Sequence, residues 1–204
     1  MVRFEYLEPT SLEEAISLLD KHWGQARVMA GGTDLLIRLK QRVLRPQYVI
    51  NIKRIPGLGS LAYRSRQGLS IGSLATIRAV ETSPQVREHY PLLAEAAGML
   101  GSVQVRNLAT VGGNICNAAP SAEMAPPLLV LGAKARIVGP RGERIVPLDE
   151  FFLGPGQTCL QRGELMVEIQ VPEPPPRSGG VYIKLSPRAA MDIAVVGVAA
   201  VVTL

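Results

Sequence analysis

Apolar positions near the start of the chain recur at helical spacing and then give way to short apolar runs. Between Leu12 and Leu19 they return every three or four residues, and Ser11 and Glu14 have the spacing of a capping box. We therefore expect an amphipathic helix over residues 11–21. The runs that follow predict a small α/β unit, with a strand at 27–30, a helix at 35–42 capped by Asp34, and a strand at 48–52.

The segment IPGLG at residues 55–59 marks a boundary, because its proline and glycines favour a turn. Beyond it the pattern changes to short strands mixed with short helices. The expected strands lie at 61–64, 69–71, 135–138, 144–146 and 164–171, and the expected helices lie at 76–81, 91–100 and 126–131. The strands on either side of GPRG form a predicted hairpin.

A proline-rich segment and an apolar run close the sequence. Residues 172–176, PEPPP, predict a stiff and extended linker. The run from Ile193 to Leu204 predicts a buried strand without a partner strand in this chain, unless it adds to the preceding unit or to another chain. We therefore expect 173–204 to be the linker and the start of an incomplete C-terminal domain, and we expect the uncovered tail to favour self-association.

Composition narrows the class of protein. Of the 204 residues, 47% are hydrophobic and 19% are charged, as in an ordinary globular protein. No apolar stretch is long enough for a membrane span, and the N-terminus lacks the apolar region of a signal peptide, so we expect a cytoplasmic protein. With only two cysteines and two histidines, we expect neither a metal site nor an iron–sulfur cluster built by this chain alone.

The formal net charge is +5, and basic residues concentrate between Arg38 and Arg54. Two interpretations of this stretch stay open: a solvated helix face and turn, or a docking surface for an acidic partner or a phosphate-bearing ligand. Aromatic residues are not interleaved with the basic ones, so we expect no nucleic-acid binding.

Two glycine pairs carry the chemistry that the sequence suggests. The first lies in AGGTD at residues 30–34, between a predicted strand and a predicted helix, and the second lies in TVGGN at 110–114. Adjacent glycines let backbone N–H groups approach an anion, and a helix start adds a favourable dipole. Each pair alone also fits a helix start or a bulge, and neither matches a GxGxxG or P-loop pattern. Together they predict two loops that clamp a pyrophosphate.

Extended to AGGTDLL and TVGGNICNAAPSAEMAPPLLVLGA, the two motifs resemble the FAD-binding subunit of molybdenum hydroxylases. That group includes the xanthine dehydrogenase family and the medium subunit of aerobic carbon monoxide dehydrogenase, and it is similar more broadly to the p-cresol methylhydroxylase type of FAD domain. FEYLEPTSLEEAISLL, QVRNLATVGGN and YIKLSPRAAMDIAVV agree with it, so the resemblance covers nearly the whole chain. It implies an α+β fold with a small α/β FAD-binding subdomain at 1–56, a larger α+β subdomain at 57–172, and a truncated C-terminal domain.

The resemblance also implies which residues bind the cofactor. Glu123 would face the adenosine part of FAD, where the family more often has Asp, while Lys184 would lie near the flavin and Leu100 near a position that covers its ring. The pyrophosphate would be held from one side by Ala30, Gly31, Gly32, Thr33 and Asp34, and from the other by Thr110, Gly112, Gly113 and Asn114. No residue is expected to act as a catalytic acid or base, and FAD is expected to bind noncovalently.

Electron transfer is the function that the resemblance implies. In the resembled complexes a large subunit with a molybdenum cofactor oxidises the substrate, a small subunit with 2Fe-2S clusters relays the electrons, and FAD passes them to a terminal acceptor. Two alternatives stay open for this chain. One is a self-contained flavin oxidase or dehydrogenase, and the other is a truncated FAD-binding protein without a catalytic role.

Overall fold

The computed structural model describes residues 3–188 and 191–204. Its first part is built from β1 (Glu5–Leu7), α1 (Leu12–Lys21), β2 (Ala26–Met29), α2 (Leu35–Lys40), β3 (Tyr48–Asn51) and a 3-10 turn (Ile52–Arg54). The three strands form a parallel sheet in the order β1-β3-β2. Helix α1 begins behind Ser11, whose hydroxyl accepts a hydrogen bond from the N–H of Glu14, as the capping-box pattern predicts. The helices and strands predicted for this part are confirmed.

Asp34 precedes α2 but does not cap it. Its backbone is already helical, with φ −90° and ψ −46°, and its side chain makes no hydrogen bond to the first turn. A capping side chain reaches the first-turn amides from an extended backbone, so the prediction of a cap at Asp34 is wrong. Its carboxylate is exposed beside the first glycine pair.

The second sheet is antiparallel, and its core lies between the strands and the helices that connect them. Its strands are β4 (Leu61–Arg64), β5 (Gly68–Gly72), β6 (Lys134–Gly139), β7 (Gly142–Pro147) and β10 (Leu165–Val171), in the order β4-β5-β10-β6-β7. The connecting helices are α3 (Ile77–Thr82), α4 (Pro84–His89), α5 (Pro91–Met99), α6 (Val103–Leu108), α7 (Val111–Asn117) and α8 (Ala125–Val130). A short helix and ribbon follow β7: α9 (Leu148–Phe151), β8 (Phe152–Gly154) and β9 (Gln157–Thr158). The predicted strands and helices, including the hairpin β6–β7, are confirmed.

The two sheets share part of their apolar core. Leu165 and Val167 of β10 are buried in one cluster with Ala15 and Leu19 of α1 and Ile50 of β3. Burial of such side chains is the main favourable contribution to folding, so the first unit is stabilised by a strand that comes more than a hundred residues later in the chain. The subdomain boundaries at 56 and 172 therefore stay predictions.

The apolar run at the end of the chain has a strand partner after all. Strands β11 (Ser178–Leu185) and β12 (Val196–Thr203) form an antiparallel hairpin over eight residue pairs. The expectation of a strand without a partner in this chain is therefore wrong. Strand β11 lies directly after the proline-rich segment, and the sequence pattern there predicts a linker and an unfinished domain, not a strand.

Residues 172–176 are held against the second sheet. One carboxylate oxygen of Glu173 accepts a hydrogen bond from the Tyr63 hydroxyl at 2.6 Å, and the other accepts one from the backbone N–H of Arg66 at 2.5 Å. Gly68 lies so close to this segment that a Cβ there would be 2.1 Å from the carbonyl oxygen of Val171. The segment is thus tethered at the β4–β5 turn. Within the described ranges, no helix has the length and apolar character needed to cross a membrane.

Candidate functional site

The first glycine pair forms a turn between the carboxyl end of β2 and the start of α2. Gly32 has φ +77°, a left-handed conformation that favours glycine, and its carbonyl accepts the N–H of Leu36. The N–H groups of Gly31, Gly32, Thr33 and Asp34 donate to no acceptor in the described part of the chain. Successive unpaired amides at a turn of this kind are suited to an anion.

Gly31 brings this turn against the backbone that leads into the second motif. A Cβ at Gly31 would lie 2.1 Å from the carbonyl oxygen of Leu108 and 3.0 Å from the Cα of Ala109. Both of these are backbone atoms and cannot rotate away. The two glycine motifs, far apart in sequence, are therefore adjacent in the fold.

The second glycine pair lies in the first turn of helix α7 and not in a loop. Thr110 is the N-cap, and its hydroxyl accepts the N–H of Gly113 at 3.0 Å. The N–H of Gly112 donates to the carbonyl oxygen of Ser73 at 3.0 Å, and that of Asn114 donates to the carbonyl of Thr110. These amides are thus used within the protein. The second pair therefore lies in a helix and not in a loop, and the binding of the pyrophosphate by residues 110–114 stays a prediction.

The two glycines of α7 face different neighbours. A Cβ at Gly112 would lie 2.5 Å from the carbonyl oxygen of Ser73, so Gly112 allows α7 to pack on the chain that follows β5. A Cβ at Gly113 would lie 2.9 Å from the Thr110 hydroxyl and 3.9 Å from the Cβ of Ala30. Gly113 therefore faces the Cβ of Ala30 in the first motif and adds no side-chain atom of its own to the surface between the motifs.

A dinucleotide such as FAD fits the groups at this junction. The amides of the first turn are free for phosphate oxygens, and the bare face of Gly113 allows close approach of a ligand. The side-chain oxygen of Asn114 is buried and has no hydrogen-bond partner among the described residues. An orphaned acceptor of this kind costs free energy unless a ligand or water donates to it, so it is suited to a hydroxyl or N–H group of a bound nucleotide.

Glu123 and Lys184 form a buried ion pair. The ammonium of Lys184 lies 2.8 Å from a carboxylate oxygen of Glu123, and both side chains are close to nine-tenths buried. The same ammonium donates to the carbonyl oxygens of Met99 at 3.2 Å and Asp192 at 2.8 Å. Its three donors are thus satisfied. The pair ties strand β11 to the end of α5 and to the loop that follows α7.

This contact changes what the resemblance implied for the two residues. Glu123, expected at the adenosine, and Lys184, expected near the flavin, are in direct contact with each other. Lys184 contacts Met99 at the end of α5, and Leu100 is the next residue along the chain. Glu123, Lys184 and Leu100 are therefore close to one another.

Sequence reasoning missed a buried arginine that supports α6. Arg106 donates to the carboxylate of Glu81 at 2.8 Å and to the carbonyl oxygen of Leu100 at 3.0 Å. Burial acts to raise the pKa of Glu81, but hydrogen bonds from Arg78 and Arg106 outweigh it, so this pKa is lowered from its ordinary value. The only signal in the sequence is a charged residue inside the apolar segment VQVRNL, next to the second glycine motif.

The basic stretch forms an exposed surface next to the first glycine turn. Arg38 and Lys40 lie on α2, and Arg42 and Arg45 follow it; all four are exposed. Apolar side chains lie among them, since Ile37 is 54% exposed and Val43 is 63% exposed. No ion pair involving the four basic residues is found in the described part of the chain. The surface is thus both basic and partly apolar.

The two cysteines form no disulfide in the described part of the chain. Cys116 and Cys159 are free thiols, and burial raises the pKa of Cys116 to about 12, which keeps it in the unreactive thiol form. Among residues 3–188 and 191–204, no three His, Cys, Asp or Glu side chains are grouped as metal ligands would be.

A protein-family model matches most of the chain. The model is described as the FAD binding domain in molybdopterin dehydrogenase, and it matches residues 2–174. The match includes both glycine motifs and ends before the hairpin β11–β12.

Two known FAD-binding or medium subunits of dehydrogenases are similar to nearly the whole of this chain. The xanthine dehydrogenase FAD-binding subunit of Escherichia coli O157:H7 is 38% identical over 196 residues, which are 96% of this chain and 67% of that protein. The carbon monoxide dehydrogenase medium chain of Hydrogenophaga pseudoflava is 40% identical over 201 residues, or 98% of this chain and 69% of that one.

Among solved structures, the H. pseudoflava carbon monoxide dehydrogenase that lacks the Mo-pyranopterin moiety matches with a TM-score of 0.92 at 38% identity, over 96% of this chain and 67% of that chain. A cyanide-inactivated Cu,Mo-CO dehydrogenase matches with a TM-score of 0.95 at 30% identity, over 100% of this chain and 71% of that chain. The α+β FAD-binding fold expected from the resemblance is confirmed, and the subdomain bounds stay predictions.

Proposed function

Since the chain belongs to the family of FAD-binding domains of molybdopterin dehydrogenases, we propose that it is the electron-transfer subunit of a molybdenum hydroxylase. Its cofactor is FAD, and it is a flavoprotein component of an oxidoreductase. It takes electrons from the iron–sulfur clusters of a partner subunit and passes them to a terminal acceptor. The observation that carries the proposal is the junction of the two glycine motifs: the first has unpaired amides, and the second has a glycine that faces the first motif and an asparagine whose buried oxygen is unpartnered.

The residues at this junction hold the pyrophosphate and the sugar groups next to it. The amides from Gly31 to Asp34 donate to phosphate oxygens, with Ala30 and Gly113 shaping the space between the two motifs. Thr110 and Gly112 act by fixing the start of α7, and Asn114 accepts a hydrogen bond from the ligand. Bound FAD supplies the redox chemistry, because it accepts two electrons and releases them together or one at a time.

The Glu123–Lys184 pair bounds the flavin end of the site. Leu100 and Lys184 are both expected near the ring, and Lys184 is in direct contact with the residue that precedes Leu100. Glu123 therefore belongs to the same end, and it keeps the ammonium of Lys184 in place. Since the pair is satisfied within the protein, its role is to position the wall of the site.

The basic surface around α2 is our candidate docking site for the 2Fe-2S small subunit. Helix α2 follows the first glycine turn directly, so a partner bound there lies close to the cofactor. The exposed side chains of Arg38, Arg42 and Arg45 attract an acidic partner, and Ile37 and Val43 add apolar contact area. The large subunit with the molybdenum cofactor is the second proposed partner, and the complex is proposed to be cytoplasmic.

The proposed domain organisation is the one that the resemblance implies. Residues 1–56 form the subdomain with the first glycine turn, and residues 57–172 form the one with α7 and the second sheet. Residues 173–204 contain the end of the proline-rich segment and the hairpin β11–β12. The parallel and antiparallel sheets support this division, although β10 contributes to the core of both.

Electron transfer is tested with the flavin-loaded chain and its reduced 2Fe-2S partner subunit. Rapid mixing without oxygen should bleach the visible absorbance of oxidised flavin, and denaturing the loaded protein should release FAD, not FMN. The double variant Arg38→Glu/Arg42→Glu should slow the bleaching at least about tenfold, because it replaces attraction by repulsion, while flavin content stays the same. Arg64→Glu, an exposed arginine on β4, is the control for a change of charge.

Three results would contradict parts of this proposal. Bleaching by small organic substrates without a partner would favour a self-contained oxidase or dehydrogenase. Loaded protein that the reduced partner never bleaches would favour an FAD-binding protein without a catalytic role. Equal rates for the double variant and the Arg64→Glu control would exclude the surface around α2 as the docking site.

A further inference from the structure

The segment that leads into the second glycine motif sets how far apart the two motifs lie. A Cβ at Gly31 would be 2.1 Å from the carbonyl oxygen of Leu108, so the first glycine turn rests directly on this backbone. The carbonyl oxygen of Ala109 accepts the N–H of Ile77 at 2.9 Å, and Thr110 then begins α7 as its N-cap. Since α6 ends at Leu108, any displacement of α6 is passed on to the junction of the motifs.

Arg106 fixes α6 from its buried side. Its side chain is 10% exposed, and its Nε and Nη2 donate to the two carboxylate oxygens of Glu81 on α3, at 2.8 and 3.3 Å. Its Nη1 donates to the carbonyl oxygens of Leu100 at 3.0 Å and Gly101 at 3.2 Å. Because the guanidinium is planar and holds its donors in a rigid fork, these contacts fix the orientation of α6 as well as its distance from α3.

The carbonyl groups that Arg106 binds belong to the turn after α5. Met99 comes directly before them, and its carbonyl oxygen accepts from the ammonium of Lys184 at 3.2 Å. Three consecutive carbonyl groups, those of residues 99–101, are thus each held by a buried cation. Gly101 has φ +49°, and only residues 100–102 connect α5 to α6. Arg106 therefore joins α6 both to α3 and to the end of α5.

We propose that Arg106 is a positioning residue for FAD, an inference that rests on the proposed binding of the cofactor at the junction of the glycine motifs. By fixing α6, it keeps the carbonyl group of Leu108 against Gly31 and holds the first turn at a constant distance from α7. A pyrophosphate between them depends on this distance, because N–H···O hydrogen bonds span only about 2.7–3.2 Å between heavy atoms. The donors of Arg106 end on protein oxygens, so it acts through the backbone and not by contact with the cofactor.

Arg78 allows a comparison within the same cluster. It lies on α3, three residues before Glu81, and pairs with the same carboxylate at 3.0 Å. Its side chain is 40% exposed, and both members of this pair belong to one helix, so the pair stabilises α3 alone. Arg78 thus shares with Arg106 the charge balance of Glu81 but not the link to α6.

The test compares Arg106→Lys with Arg78→Lys, which are the same substitution beside the same carboxylate. A lysine keeps the positive charge, but its compact ammonium cannot reproduce the planar fork that binds Glu81 and two carbonyl groups together. Arg106→Lys should raise the Kd for FAD at least about tenfold, which corresponds to the loss of one well-placed hydrogen bond to phosphate. Arg78→Lys should change the Kd less than about twofold, since an exposed pair contributes little. Titration of the flavin-free chains measures both values, and far-ultraviolet circular dichroism checks that they are folded.

Phosphorus NMR of bound FAD separates positioning from stability. A variant that is only less stable lowers the folded fraction and leaves the two phosphate signals of the bound cofactor unchanged. We expect Arg106→Lys to shift these signals and Arg78→Lys to leave them in place. Glu81→Gln decides the question if Arg106→Lys does not fold, because it preserves the shape of the side chain but weakens its hold on Arg106. It should shift the signals in the same direction and by less.

Unchanged phosphate signals in the FAD-bound Arg106→Lys variant would overturn the proposal, and so would an unchanged Kd. Equal effects of Arg106→Lys and Arg78→Lys would assign the change to the charge balance of Glu81 and would also overturn it. An unaltered chain that binds no FAD would instead contradict the cofactor site itself. Failure of this inference and failure of the proposed function are therefore distinguishable.

Discussion

At the scale of single residues, the four glycines of the two motifs are required for different physical reasons. Gly31 allows two stretches of backbone to touch, and Gly32 adopts a left-handed backbone conformation. Gly112 makes room for Ser73 beneath helix α7, whereas Gly113 keeps the space in front of the first motif empty. Only the last of these roles concerns the proposed ligand directly. The same residue type therefore serves both stability and binding within one site.

These roles can be separated by two neighbouring substitutions. Gly112→Ala should destabilise the fold by about 1–3 kcal/mol, because its Cβ meets a backbone oxygen that cannot rotate away. Gly113→Ala should weaken FAD binding at least about tenfold with a smaller loss of stability, since its Cβ enters the space that the ligand approaches. Urea unfolding of the flavin-free protein and titration with FAD measure the two effects.

Gly59→Ala serves as the control, because a Cβ there meets nothing within 4 Å and the backbone of Gly59 is not left-handed. Gly59→Ala should change neither the free energy of unfolding nor the affinity for FAD. If Gly113→Ala binds FAD as tightly as the unaltered chain, the bare surface between the motifs is not where the cofactor lies.

The sequence pattern agrees with the structure at the first glycine pair and differs from it at the second. Paired glycines after a strand correctly indicated an unpaired turn at residues 30–34. The second pair could not be distinguished from a loop, since glycine lowers helix propensity and the partners of its amides lie elsewhere in the chain. Ser73, whose carbonyl oxygen accepts from Gly112, is separated from it by four helices.

At the scale of elements, the hairpin depends on the ion pair between β11 and the loop after α7. Lys184→Met leaves the carboxylate of Glu123 buried without its partner, so the variant should be about 3–5 kcal/mol less stable. The double variant Lys184→Met/Glu123→Leu should recover much of this loss, because both charges are then removed together. Urea unfolding of the unaltered chain, of Lys184→Met, of Glu123→Leu and of the double variant completes a double-mutant cycle.

A coupling free energy near zero in that cycle would show that the two side chains do not interact in solution. Arg162→Met is the matched control, since Arg162 pairs with Asp20 at 2.8 Å but both side chains are largely exposed. Exposed pairs contribute about 0–1 kcal/mol, so this variant should be nearly as stable as the unaltered chain.

Local patterns predicted most helices and strands, but they failed where the partner was distant. The capping box at Ser11 and the turn GPRG act over a few residues, and the helix α1 and the hairpin β6–β7 were found from them. By contrast, the cap at Asp34 failed because the turn before α2 holds its backbone in a helical conformation. The pairing of the final strand failed because β11 follows a proline-rich stretch that resembles a linker.

At the scale of the whole molecule, buried or half-buried ion pairs join elements that are distant in sequence. Arg106 and Glu81 join α6 to α3, and Arg144 and Glu164 join β7 to the segment before β10. The hydrogen bond from Arg144 lowers the pKa of Glu164, as the arginine contacts do for Glu81. The fold is thus linked to the ionisation of two carboxylates.

Acid should therefore destabilise the protein in a defined direction. A carboxyl group whose pKa is lowered in the folded state contributes stability above its ordinary pKa of 4.5, and this contribution is lost as the pH falls toward the lowered value. Urea unfolding from neutral pH to below 4.5 measures it. Glu164→Gln should be less stable at neutral pH and should show a shallower loss on acidification.

Glu13→Gln is the control, since Glu13 is exposed on α1 and is found in no ion pair in the described part of the chain. Parallel curves of unfolding free energy against pH for Glu164→Gln and the unaltered protein would contradict the lowered pKa of Glu164.

The shared core of the two sheets has a consequence for how the chain folds as it is made. The cluster around α1 and β3 is completed by Leu165 and Val167. A ribosome releases the N-terminal helix and the parallel strands long before it reaches these residues, so the nascent first unit is left with an open apolar side. Closing it requires contacts between residues that are far apart in sequence, which slows folding and prolongs exposure to other chains. We infer that the first glycine turn takes its final form only after β10 has been synthesised, and that the cofactor binds late in biosynthesis.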